Sequence, residues 1–77
     1  MGGAFLSGTD LGGALLDFAN LSSANLYNTS FLGASLYGAS FAGARLTGAN
    51  FSGLDLDATN FASADLSGAN LSGVGDL

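Results

Sequence analysis

The chain contains no cysteine, proline, histidine, lysine or tryptophan, and its only basic residue is Arg45, among 77 residues of net charge −5. Each absence closes off a class of chemistry. Without cysteine there is no disulfide framework and no thiolate, and without cysteine and histidine the usual zinc sites cannot form. One cation cannot offset phosphate repulsion, so direct nucleic-acid binding is excluded. Mean hydropathy is positive at +0.45, yet polar residues and glycines interrupt every apolar run far short of the roughly 18 residues a spanning helix requires. No membrane segment is expected. Met1 to Leu6 lacks the basic region and long apolar stretch of a secretory leader. The expectation is a single soluble domain over residues 1–77, cytoplasmic by default.

What the chain does have is a period of five. Leucine or phenylalanine recurs without a gap at Leu6, Leu11, Leu16, Leu21, Leu26, Phe31, Leu36, Phe41, Leu46, Phe51, Leu56, Phe61, Leu66 and Leu71. Two residues before each central residue stands a small one, from Ala4, Thr9 and Ala14 through Thr59, Ala64 and Ala69, with Leu54 the single large exception. Two residues after, glycine is commonest, as at Gly8, Gly33, Gly43 and Gly68.

A helix turns about 100° per residue, so a lag of five scatters the central residues around the cylinder and leaves no apolar stripe. The 13 glycines would each cost such a helix about 1 kcal/mol relative to alanine. Extended structure fits. Residues two apart share a side, so each small residue and its central partner face inward while the residues that follow turn a corner. A corner every five residues coils the chain, and each coil must hydrogen-bond to the next because no other strand is available.

Phe31, Phe41, Phe51 and Phe61 alternate with leucine, which sets the number of sides. A coil of 20 residues stacks Phe31 over Phe51 and Phe41 over Phe61 on opposite faces, whereas a coil of 15 would set Phe31 over Leu46. Four sides pack better. Ala19-Asn20-Leu21-Ser22-Ser23, Ala64-Asp65-Leu66-Ser67-Gly68 and Ala69-Asn70-Leu71-Ser72-Gly73 resemble the pentapeptide-repeat consensus A-(D/N)-L-x-x, and the resemblance covers residues 4–73. It implies an all-β, right-handed quadrilateral β-helix, here of just under four coils. Such a stub stands roughly 19 Å tall at the usual strand spacing. Val74 continues the inward small position, but Asp76 falls on the next central one, where an unpaired carboxylate cannot be buried, and ends the repeat.

Faces are numbered by their central residues. Face 1 holds Leu6, Leu26, Leu46 and Leu66; face 2 holds Leu11, Phe31, Phe51 and Leu71; face 3 holds Leu16, Leu36 and Leu56; face 4 holds Leu21, Phe41 and Phe61. Outside face 3 lie Leu15, Asp17, Phe18, Tyr37, Asp55 and Asp57, an acidic and aromatic set that reads as a partner surface or as a solvated wall that keeps the stack soluble. Phe5 and Phe18 have a second reading, as an improvised cap over the open end. Arg45 and Asp65 are expected to form an exposed ion pair on face 1 worth about 0–1 kcal/mol. Asn20, Asn50, Asn60 and Asn70 are expected to stack as amide ladders along the axis. Leu54 should widen face 3 locally.

The pair Asp55 and Asp57 invites a cation-site or acid/base reading, but with no histidine, lysine or cysteine beside it nothing complements or perturbs the carboxylates. No cofactor, metal or catalytic residue is expected. Neither Gly2-Gly3 nor Gly12-Gly13 has the spacing of a phosphate loop or a calcium-binding nonapeptide. The lone outward Thr47 is no ice-binding array. The leading functional expectation is a non-catalytic structural or protein–protein interaction module, with an end-to-end homodimer as a further association. The family resemblance supplies an alternative, a DNA-mimicking protein that binds a type II topoisomerase such as gyrase, with carboxylates imitating phosphates. A designed or excised example of the fold, with no role of its own, is the remaining alternative.

Overall fold

The computed structural model describes Gly3 and residues 5–75; the inward position of Ala4 and the terminating one of Asp76 lie outside the described residues. Each repeat builds the same unit. In Ala39-Ser40-Phe41-Ala42-Gly43 the side chains of Ala39 and Phe41 are fully buried, and Ser40 between them forms parallel bridges with Asn20 and Asn60. Ala42 and Gly43 then turn the corner, closed by the Ala44 N–H donating to the Phe41 carbonyl at 2.9 Å. The same closure recurs from Thr9 N–H to Leu6 O at 3.1 Å through Val74 N–H to Leu71 O at 3.4 Å.

The second corner residue needs a left-handed backbone, with φ 69° at Gly43, as a type II turn requires. Glycine adopts it without a Cβ penalty, which is the reason glycine dominates two positions after the central residue. Phe18, Ser23, Asn28, Ala58 and Ser63 hold the same conformation at φ 56° to 61° and carry the strain of an L side chain there.

Bridges join residues 20 apart, such as Asn25 to Arg45 and Arg45 to Asp65, and Ser30 to Asn50 and Asn50 to Asn70. Around each bridge the backbone pairs fully. Phe41 N–H donates to Asn60 O at 2.7 Å, Asn60 N–H to Ala39 O at 2.9 Å, and Gly43 N–H to Ala62 O at 2.8 Å. The phenylalanines follow the expected register. Phe31 stacks on Phe51 at 4.7 Å and Phe41 on Phe61 at 5.3 Å, each pair within 6° of parallel, while Phe31 meets Phe41 edge-on across the interior at 5.5 Å. The molecule measures 25 × 21 × 21 Å.

The fully enclosed core runs from Leu21 to Leu56, and each large side chain in it contributes roughly 1.5–3 kcal/mol by burial. Leu6, Leu11 and Leu16 at one end and Phe61, Leu66, Leu71 and Val74 at the other are only partly buried, having neighbours on one side. Threonine at the small position carries a hydroxyl inward and satisfies it on the preceding coil: Thr29 Oγ1 donates to Leu6 O at 2.9 Å and Thr59 Oγ1 to Leu36 O at 3.0 Å. No buried side-chain polar atom is without a partner among the described residues.

Two expectations about outward side chains are corrected. The asparagines before the central residues turn to their own corners: Asn50, Asn60 and Asn70 Oδ1 accept the N–H of Ser52, Ala62 and Ser72 at 2.9–3.0 Å, and Asn20 Oδ1 accepts that of Ser22. This is the local Asx geometry. It wins over an amide ladder because the corner N–H two residues on is already within reach of the side chain. Asp65 does likewise, taking both the hydroxyl of Ser67 at 2.6 Å and its N–H at 3.0 Å. The Ser67 hydroxyl is the main reason its carboxyl sits below the usual aspartate range, and Arg45 contributes least among the groups that lower it. The expected ion pair is therefore secondary to a corner cap.

Candidate functional site

Face 3 differs from the other faces at one level, and Leu54 accounts for it. Leu54 points inward and is 6% exposed, in a slot that holds alanine or threonine elsewhere in the enclosed core. Its neighbour one coil before, Ala34, is 8% exposed, whereas Ala24, Ala39, Ala44 and Ala49 are at most 1%. The extra branched carbons do not fit at the spacing of the stack, and packed interiors respond to added volume by shifting backbone. Here the coils part. By the register of every other face, Leu36 N–H should pair with Asp55 O, Gly38 N–H with Asp57 O, Asp55 N–H with Ala34 O and Gly33 N–H with Ser52 O. None of these four bonds forms, nor does a bridge from Ser35 to Asp55. Above and below the break the ladder is intact, with Leu16 N–H on Ser35 O at 2.8 Å and Leu56 N–H on Gly75 O at 3.1 Å. The widening expected from Leu54 is thus a gap in the hydrogen-bond ladder.

The gap opens as a surface cleft of about 190 Å³ lined by Ala34, Ser35, Leu36, Tyr37, Asp55 and Asp57. Asp55 Oδ1 accepts the Asp57 N–H at 3.0 Å. On the other side of Tyr37, Asp17 ties the wall together, accepting the Ser35 hydroxyl at 2.5 Å and the Tyr37 N–H at 3.0 Å. Phe18 meets Tyr37 edge-on at 5.5 Å, and a Cβ on Gly38 would stand 2.6 Å from Phe18 Cδ1. The Phe18 ring therefore leans along the outer wall toward the next coil. It does not fold over the open end, and Phe5, 85% exposed, covers nothing, so the cap reading of both is corrected.

Of the residues singled out in the sequence, Asp17, Phe18 and Tyr37 make one contiguous contact set, and Tyr37, Asp55 and Asp57 share the cleft. Leu15 stands apart from both, 87% exposed and bridged through its backbone to Ser35. What residue reasoning missed is the set of unpaired backbone groups lining the gap. Their signal was present as the single departure at Leu54. Among the described residues no three His, Cys, Asp or Glu side chains converge as metal ligands, and no helix is long and apolar enough to cross a membrane. What the site offers is backbone acceptors and donors released from the ladder, an excess of negative charge and two exposed rings.

Comparison with known proteins places the chain firmly. The model of the family described as pentapeptide repeats matches residues 4–41 and 34–73, with 8 copies. Among solved structures, a pentapeptide repeat protein from the Arabidopsis thaliana thylakoid lumen is similar at 35% identity and a TM-score of 0.66, over 94% of this chain and 53% of that one. A pentapeptide repeat protein of the cyanobacterium Cyanothece 51142 is similar at 36% identity and a TM-score of 0.58, over 95% of this chain and 40% of that one. The chain thus spans about half or less of the length of these two proteins. A search of curated proteins finds no match. With a central Leu or Phe every fifth residue, bridges 20 residues apart and the family's model matched along nearly its whole length, this chain belongs to the pentapeptide-repeat family.

Proposed function

We propose that this chain is a non-catalytic interaction module, a right-handed four-sided stub of just under four coils whose face 3 receives a protein partner. The observation that carries this reading is the Phe18–Tyr37 pair. Two large rings, 72% and 50% exposed, are held against one another and against a hydrogen-bonded acidic wall by Asp17. Rigid aromatic area beside satisfied polar groups is the composition of binding hot spots. The chain supplies no histidine, cysteine or lysine to act as base or nucleophile, which favours recognition over chemistry. Three of the six carboxylates, Asp17, Asp55 and Asp57, share face 3, and the set does not follow the regular spacing of phosphates, which favours a local contact over mimicry of a duplex.

The test is selection of binders from a random peptide display library on the immobilised protein, followed by affinity measurement on two folded double variants. Binders are expected to lose at least about tenfold, a hot-spot-sized effect, on Phe18→Ser with Tyr37→Ser, and little on Tyr27→Ser with Leu32→Ser, two large apolar residues exposed outside faces 1 and 2. Binders that depend on Tyr27 and Leu32 and ignore Phe18 and Tyr37 overturn the assignment to face 3.

A further inference from the structure

We infer that the Leu54-widened gap on face 3 is a receptor for an arginine side chain of the protein partner. This rests on the interaction reading above and names the chemistry at its centre. Parting of the two coils frees the carbonyls of Ala34, Asp55 and Asp57 together with the N–H groups of Leu36, Gly38 and Asp55, and the Asp55 and Asp57 side chains line the same cleft and add acceptors and negative charge to it. Three freed carbonyls and two carboxylates outnumber the freed N–H groups, so the lining calls for a donor-rich cation. A guanidinium carries five N–H donors in a planar fork and no acceptor.

Shape and charge agree. Tyr37 forms one wall, and guanidinium planes stack on aromatic faces, where the attraction is about 0.5–2 kcal/mol depending on desolvation. Lysine would bring a compact, strongly hydrated charge with no plane to lay against the ring. The chain carries net charge −5, so a cation is drawn to it. The Phe18–Tyr37 pair beside the cleft provides apolar area that a free small cation would leave uncovered, which points to an arginine within a polypeptide segment.

Leu54 makes the inference separable from simple charge attraction. Leu54→Ala restores the small slot and should close the ladder while leaving Tyr37, Asp55 and Asp57 in the chain. The experiment is a titration followed by amide NMR shifts with the capped peptide acetyl-Gly-Arg-Gly-amide, alongside its lysine and citrulline counterparts. Shifts are expected at Ser35 to Gly38 and at Asp55 to Asp57 with the arginine peptide, weaker ones with lysine and none with citrulline. Asp55→Asn with Asp57→Asn should weaken binding about tenfold or more, as loss of charged hydrogen-bond partners does. Leu54→Ala, confirmed folded by its spectrum, should weaken it to a similar degree. Equal shifts with citrulline, or undiminished binding by Leu54→Ala, overturn the arginine cleft. A display-selected binder that needs Phe18 and Tyr37 but contains no arginine also overturns it, while leaving the interaction reading intact.

Discussion

Faces 1 and 3 carry the same five-residue grammar and differ by one slot. On face 1 the small positions of successive coils are Ala24, Ala44 and Ala64, and the ladder runs unbroken from Phe5 through Asn25 and Arg45 to Asp65. On face 3 they are Ala34, Leu54 and Val74, and the ladder breaks between Ser35 and Asp55. The central leucines are buried alike, Leu26 and Leu46 at 0% and Leu36 and Leu56 at 1–2%. The spacing between coils is therefore governed by the small position, which in the enclosed core holds alanine or threonine everywhere except at Leu54. A substitution that would be conservative in an ordinary core acts here on the backbone, since side chains stacked at a fixed repeat cannot slide past one another.

Substitutions test this contrast between the faces. The largest effect is expected at a central residue, the position at which faces 1 and 3 are alike, and it is tested at Phe41 on face 4, in the middle of the aromatic stack. Phe41→Asp puts a carboxylate between Phe31, Phe51 and Phe61. The lost packing alone costs about 3–5 kcal/mol, and charge burial adds to it, against a total stability of ~4–12 kcal/mol for a chain of this length. Loss of the far-UV β signal and of cooperative thermal unfolding is the expected outcome; a folded variant would refute the inward assignment.

Next comes transplantation of the face 3 feature. Ala44→Leu should reproduce the gap on face 1, breaking Leu26 N–H to Arg45 O and Arg45 N–H to Ala24 O, at a cost of about 1–3 kcal/mol for overpacking. Amide exchange at Leu26 and Arg45 should accelerate, and unchanged protection would mean that Leu54 is not what opens face 3. The reciprocal change, Leu54→Ala, should slow exchange at Leu36 and Asp55. Its effect on the chemical-denaturation midpoint should be small, because the lost leucine burial is offset by re-formed ladder bonds of roughly 0.5–1.5 kcal/mol each.

Smaller still is the corner effect. Ala58 holds φ at 58°, so Ala58→Gly should stabilise by about 0.5–1 kcal/mol, the strain relieved less the extra freedom of the unfolded chain, visible as a raised melting temperature. The smallest concerns Asp65, whose carboxyl is held low mainly by the Ser67 hydroxyl. A group with a depressed folded pKa stabilises above its unfolded pKa and loses that contribution as pH falls through the folded value. Ser67→Ala should therefore move the Asp65 titration upward toward the ordinary aspartate range in an NMR pH series. An unmoved midpoint would transfer the cause to the Ser67 N–H.

Much of the fold was legible in the residues because a solenoid is nearly one-dimensional. The lag of five between central residues fixes where each corner falls, and the recurrence of phenylalanine every ten residues fixes which coil lies over which, as the Phe31–Phe51 and Phe41–Phe61 stacks bear out. Of the site, the residues on face 3 and the disturbance at Leu54 could be read in the same way. Their contacts could not. Whether an outward asparagine reaches along the axis or bends to its own corner, and whether Phe18 covers the end or leans on Gly38, depends on a few tenths of an ångström between groups that the repeat places equally near.

The period, the four sides, the inward residues and the one overfilled slot follow from spacing and side-chain volume, and so can be read in the residues alone. The folded stack alone shows that the overfilling is relieved by parting the coils toward Ala34 while Gly75 N–H still reaches Leu54 O at 2.9 Å, and that Asp55, Asp57 and Tyr37 line the resulting cleft. Relief of an overpacked slot has several directions available to it, and the choice among them is made by the whole stack of neighbouring side chains at once.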